Sequence, residues 1–171
     1  NHDAPTSPVI TTVINIANAD RWRAVGHVLL VALGHSVGEV AAAYVSGLLS
    51  ISEAVHTAHV LGRVGATCSG AMLHTLLMRA ELDTWKDELL CVAAINGVAL
   101  EQDGHPPSST VPRSATLCGP STHVDAWLAV HLDAKKLTPP HPWHHPMYLR
   151  AQSVESRSVL AGLLATLPEA R

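Results

Sequence analysis

The chain has 171 residues, of which 47% are hydrophobic and 15% charged, with a formal net charge of -3. That length suits one compact domain or two small lobes, and a mean hydropathy of +0.20 rules out a wholly disordered chain. The longest basic run is the pair Lys135-Lys136, so no basic face for nucleic acid is expected.

The most apolar stretch, Val28 to Leu33, is cut short by Gly34 and His35, well below the roughly 20 residues that span a bilayer. Nothing reads as a membrane span or signal peptide. Cys68, Cys91 and Cys118 are an odd, widely spaced set, which reads as buried thiols of a reducing, cytoplasmic compartment.

In chain order, Asn1 to Pro8 reads as an extended lead-in. Ile10, Val13, Ile14, Ala17 and Trp22 recur at helical spacing, so Val9 to Arg23 is expected to be a helix stopped by Gly26. Val28 to Leu33 is a continuous apolar run bounded by glycines and reads as a buried parallel strand. A turn at Gly34-His35-Ser36-Val37-Gly38 then leads into a small-residue helix from Glu39 to Val45. Ser50-Ile51-Ser52-Glu53 is a capping box that should start a helix running to about Arg63.

From residue 67 to 138 the pattern changes. Strands are expected at Ala71 to Met78, Leu90 to Ile95, Ala115 to Cys118 and Lys135 to Thr138, with helices at Glu81 to Leu89, Trp85 inward, and at Ser121 to His131. That order is the split βαββαβ, ferredoxin-like unit, with Glu101 to Arg113 as its hairpin loop. Val154 to Leu167 reads as a terminal amphipathic helix.

Gly34-x-Ser36-x-Gly38 between a strand and a helix has the form of a nucleophile elbow, a sharp turn that leaves a serine hydroxyl exposed. The helix beginning just past Ser36 would aim its free amides, that of Val37 first, at an oxyanion on an acyl carbon. A serine hydroxyl needs a base. Of twelve histidines, His56, His59, His74, His123 and His131 lie on expected elements without a clustered partner, and His2 and His105 in loose segments. The exception is the proline-stiffened run His141-Pro142-Trp143-His144-His145-Pro146. Zinc binding by His141, His144 and His145 is the rival reading, but the set lacks helical i, i+4 spacing and a nearby fourth ligand, so no metal is expected.

The stretch from Ala32 through Gly34-His35-Ser36-Val37-Gly38-Glu39 to Ser50 resembles the acyltransferase domain of polyketide synthases and the related malonyl-CoA:acyl-carrier-protein transacylases. His141 to Pro146 resembles the family's second motif, in which the second His is the base; that position is His144 here. Ala93-Ala94-Ile95-Asn96-Gly97 and Leu117-Cys118-Gly119-Pro120 are similar to its small-subdomain strands. The resemblance implies an α/β fold: an α/β-hydrolase-like lobe with a parallel sheet (residues 1–66 and 139–171) and a ferredoxin-like subdomain (67–138). It also implies a ping-pong reaction. Ser36 would take an acyl group from acyl-CoA, and the phosphopantetheine thiol of an acyl carrier protein would remove it, with His144 serving both halves and no permanently bound cofactor. Neighbouring synthase domains are the implied partners, and His35, Leu61 and Trp143 the implied substrate contacts, with His35 read as an orienting residue.

The sequence departs from the family in three ways. No Gly-Gln-Gly turn precedes Gly34, and the segment that follows the His motif in the family is not represented, so the lobe reads as truncated at both ends. Where the extender-loading members carry a carboxylate-binding Arg, this chain has Leu61, with Arg63 two positions on. Leu cannot pair a malonyl carboxylate, which points to a starter-type, carboxylate-free acyl group. Val37 and the His-x-aromatic-His form of the second motif resemble the malonyl-selective pattern instead. Two other readings share the elbow: a serine esterase or thioesterase with water as acceptor, and a degenerate, non-catalytic acyltransferase lobe.

Overall fold

The computed structural model describes residues 6–96, 112–138 and 141–146. They fall into two compact units divided between Thr67 and Cys68. No helix among the described residues is long and apolar enough to cross a membrane.

The first unit is helical. α1 (Ser7–Ala24) begins two residues before the expected start, because Pro8 sits in its first turn, where a missing N–H costs nothing and the fixed φ suits the helix. Ser7 and Pro8 are therefore helical rather than part of a lead-in. α2 (Gly38–Val45) and α3 (Ile51–Ala66) follow. Ser50 and Glu53 form the expected capping box: the Ser50 amide donates to Glu53 Oε2 at 2.7 Å, and the Glu53 amide to Ser50 Oγ at 3.3 Å. These bonds hold the Glu53 carboxyl below its ordinary range, so the box is intact above that range and is lost as pH falls through the lowered value. Ala54 and Ala58 on α3 are fully buried and pack with Ile16 of α1 and with Val40 and Ala41 of α2. Small residues on α3 let the three helices approach closely. Tyr44 adds a hydrogen bond from its hydroxyl to Asp20 at 2.8 Å.

Val28 to Leu33, expected as a buried parallel strand, is irregular and exposed: Leu30 is 89% and Leu33 92% accessible. An apolar run supplies the side chains of a strand, but a strand exists only where a neighbour completes its hydrogen-bond ladder. None does so here among the described residues, and the one sheet they form is antiparallel.

That sheet belongs to the second unit, in the order β1 (Ala71–Leu77), α4 (Arg79–Asp83), β2 (Cys91–Asn96), β3 (Arg113–Gly119), α5 (Ser121–Val130), β4 (Lys135–Lys136). The strands lie β2-β3-β1-β4, every neighbouring pair antiparallel. This is the split βαββαβ arrangement expected. β1 alternates strictly, with Ala71, Leu73, Thr75 and Leu77 buried. With Leu90, Ala115, Leu117 and Val124 of α5, its apolar members make the core. Full burial of each leucine is worth roughly 1.5–3 kcal/mol.

The expected helix from Glu81 to Leu89 stops at Asp83. Asp87 explains this, since its carboxylate accepts from the amides of both Leu89 and Leu90 at 2.9 Å and so draws the backbone out of the helical pattern. Trp85 still turns inward, its indole N–H donating to the Leu90 carbonyl at 2.8 Å. β4 is shorter than expected, ending at Lys136. Most of the expected hairpin loop and the helix at Val154 to Leu167 lie outside the described residues.

Leu117, fully buried on central strand β3, is the sharpest test of this core. Leu117→Ala is expected to lower unfolding free energy by about 2–5 kcal/mol, read from the urea midpoint at unchanged slope.

Candidate active site

Ser36 sits in the turn that enters α2, with φ +56. This is left-handed backbone, which costs a residue with a Cβ roughly 1–3 kcal/mol and persists where its surroundings enforce it. Here the following turn does so: the amides of Gly38, Glu39 and Val40 donate to the carbonyls of His35, Ser36 and Val37 at 3.0, 3.1 and 3.2 Å. The Val37 N–H closes no backbone hydrogen bond among the described residues, as befits the first amide of a helix.

The two glycines of the motif are not equivalent. A Cβ on Gly34 would lie 2.3 Å from the Glu39 nitrogen and 2.3 Å from the Gly38 carbonyl carbon, whereas one on Gly38 would meet nothing within 4 Å. The incoming chain thus passes against the first turn of α2, and only Gly34 permits it. His35 is exposed and Ser36 and Val37 half-buried. A cleft of about 370 Å³ runs beside the turn, lined among others by Thr11, Asn15, Leu33, His35 and Val37. Ser36 does not line it. Leu61 and Arg63 both lie exposed on α3, flanking the buried Gly62, so Arg63 leaves the helix on a different side from Leu61.

In the second unit, residues 141–146 form a short irregular segment. Its three histidines are in different circumstances. His141 donates from Nδ1 to the Cys68 carbonyl at 2.9 Å and meets Trp143 edge-on at 6.5 Å between ring centroids. His145 is 1% exposed and donates from Nε2 to the Leu89 carbonyl at 3.1 Å. His144, between them, is exposed and has φ +71. Pro142 is buried against Gly70, where a Cβ would come within 2.7 Å of the proline ring. The segment is thus pinned on both sides of His144, and the ring that reaches solvent is the one on the strained backbone. Among the described residues no group of three His, Cys, Asp or Glu side chains is arranged to hold a metal ion. The sequence reading places this segment with the elbow lobe, whereas its contacts put it in the sheet-bearing unit.

Ser36 and His144 are the only two non-glycine residues with positive φ among the described residues. The sequence pattern singled out both side chains, but the backbone strain at His144 had no signal in it, since no glycine or asparagine marks the position. The anchoring roles of His141 and His145 were equally invisible, because their acceptors, the carbonyls of Cys68 and Leu89, are distant in sequence.

An α/β protein with a strained serine at the start of a helix, and a separate antiparallel unit carrying a strained histidine, is the class these features define. The chain belongs to the acyl transferase domain family, whose model matches residues 6–106. It is 30% identical over 138 residues, 77% of its length, to an erythronolide synthase of Saccharopolyspora erythraea, of which those residues make up 3%. Among solved structures it resembles the malonyl-CoA:ACP transacylase of Synechocystis, with a TM-score of 0.74 at 19% identity over 93% of this chain and 51% of the other. It also resembles a loading acyltransferase from the avermectin modular polyketide synthase, with a TM-score of 0.66 at 28% identity over 90% and 46%. The fold is therefore that of polyketide synthase acyltransferase domains. The chain spans about half of those two solved chains and a few per cent of the synthase.

The unequal glycines give a direct test of the turn. Gly34→Ala is expected to lower the melting temperature sharply or prevent folding, while Gly38→Ala leaves it within a few degrees, as compared by thermal denaturation.

Proposed function

We propose that the chain is a polyketide synthase acyltransferase domain that moves an acyl group from acyl-CoA to an acyl carrier protein through a Ser36 ester. The observation that carries this reading is the shared left-handed backbone of Ser36 and His144, since strain of this kind persists where function demands it. Family membership supports the reaction class.

In this reading His144 takes the Ser36 proton as Oγ attacks the thioester carbonyl, and the Val37 N–H donates to the oxyanion that forms. Collapse expels coenzyme A, whose sulfur receives the proton from His144. The phosphopantetheine thiol then gives its proton to His144 and attacks the Ser36 ester; the bond from Oγ to the acyl carbon breaks and His144 returns the proton to Ser36 Oγ, so the same base serves both halves. His141 and His145 position the segment, and His35 and Trp143 are assigned to the substrate side. No permanently bound cofactor is needed for these steps. Elbow and helices are taken as part of an α/β-hydrolase-like lobe in the cytoplasm.

The acyl group is proposed to be a starter-type unit without a free carboxylate. Leu61 offers apolar surface where a malonyl carboxylate would need a bidentate cation, and a loading acyltransferase is among the similar solved structures.

Intact-mass measurement of the chain after incubation with a panel of acyl-CoAs tests the reading. One acyl mass is expected on the peptide containing Ser36, absent in Ser36→Ala; an adduct surviving that change sinks the assignment. Free acid released without a carrier thiol would mark a hydrolase, and no adduct with any thioester a non-catalytic lobe.

His144→Ala is expected to slow acylation by about 10²-fold or more. His141→Gln, which leaves the neighbouring base in place, should slow it much less; equal losses would move the base to His141.

Acetyl-CoA is expected to outpace malonyl-CoA in kcat/KM. Leu61→Arg should shift preference toward malonyl by about 1.5–3 kcal/mol, and a parent that already favours malonyl would assign the carboxylate to another residue.

A further inference from the structure

Cys91 and Cys118 stand directly opposite each other on β2 and β3. Both are free thiols, Cys91 half-buried and Cys118 buried, and their sulfur atoms are 3.3 Å apart. Opposed residues in an antiparallel pair have Cα atoms about 4.5–5.5 Å apart, inside the range of about 4.4–6.8 Å that a disulfide spans. Bringing the sulfurs to a bonding distance of about 2.05 Å therefore asks for side-chain rotation and no change of register. The irregularity between Val92 and Ala94 lies immediately beyond the pair and gives β2 room to adjust there.

We propose that Cys91 and Cys118 are a modifiable dithiol that a low-molecular-weight disulfide, such as oxidised glutathione, converts into a cross-strand disulfide. The roles follow from exposure. Cys91, as its thiolate, attacks one sulfur of the oxidant, forming a mixed disulfide and releasing one glutathione, which takes up the proton. Cys118 then gives up its proton and attacks the Cys91 sulfur, expelling the second glutathione. The protein loses two electrons and two protons, and one oxidant disulfide becomes two thiols. Burial, and next the adjoining Cys91 sulfur, push the Cys118 thiol above its ordinary range, so the second step is the slower one and quickens as pH rises.

The pair lies close to the histidine segment's anchor. Leu89, whose carbonyl holds the His145 ring, is two residues before Cys91, so the bond would stiffen the chain that carries this contact. This inference is independent of the roles given to Ser36 and His144.

The test is incubation of the full chain with oxidised glutathione, followed by alkylation under denaturing conditions and mass analysis. The expected result is loss of two hydrogen masses, a fall in alkylated thiols from three to one, and a linked peptide joining Cys91 to Cys118 with Cys68 alkylated. Cys118→Ser should halt at a mixed disulfide on Cys91. Cys91→Ser, at the more exposed position, should abolish the linkage with the fold retained by circular dichroism. Three unchanged thiols, a link through Cys68, or a mixed disulfide that persists in the unsubstituted chain overturns the proposal.

Discussion

The close passage of Gly34 against the first turn of α2 is the contact on which the candidate site depends. A Cβ on Gly34 would lie 2.3 Å from the Glu39 nitrogen, so the incoming backbone runs against the start of the helix with no room for a side chain. Ser36 takes up the reversal by adopting φ +56. The amides of the first helical turn then lock it through their bonds to the carbonyls of His35, Ser36 and Val37. Strain at one residue is held by several ordinary hydrogen bonds and one missing Cβ. α2 can hold that position because Val40 and Ala41 in its first turn are buried against α1 and α3.

The second unit reaches a similar outcome by different means. β1 and β3 pair along their whole length, and the carbonyls that fix the histidine segment come from chain flanking this sheet: Cys68 just before β1 and Leu89 just before β2. His141 and His145 each donate a ring N–H hydrogen bond to one of those carbonyls. His144 is left on strained backbone with its ring toward solvent. Of three neighbouring histidines, His141 and His145 are thus bonded to backbone carbonyls, and His144 is the exposed one. A ring hydrogen-bonded to a backbone carbonyl adds rigidity to the segment that carries it.

Much of this was legible because it depends on neighbours in sequence. The helical period of α1, the Ser50 to Glu53 capping box and the alternation of β1 are short-range patterns, and each element formed where it was expected. The order of elements in the second unit carried its topology as well, since few arrangements bury one face of four strands beneath two helices. Asp87 overrode the period at residues 84–89 by offering its carboxylate to two amides, a competition that apolar spacing does not register.

By itself, then, the sequence determined which side chains are chemically distinctive: a serine between glycines ahead of a helix and a histidine-rich proline segment. Tertiary structure decided which of them are special in conformation. It selected Gly34 over Gly38 as the sterically required glycine, and His144 over His141 and His145 as the exposed histidine on left-handed backbone. It also left Val28 to Leu33 without a ladder among the described residues and set Cys91 opposite Cys118. All of these outcomes depend on what lies across a gap in space, a neighbouring strand, a carbonyl or a helix backbone, and only the folded chain brings those groups together.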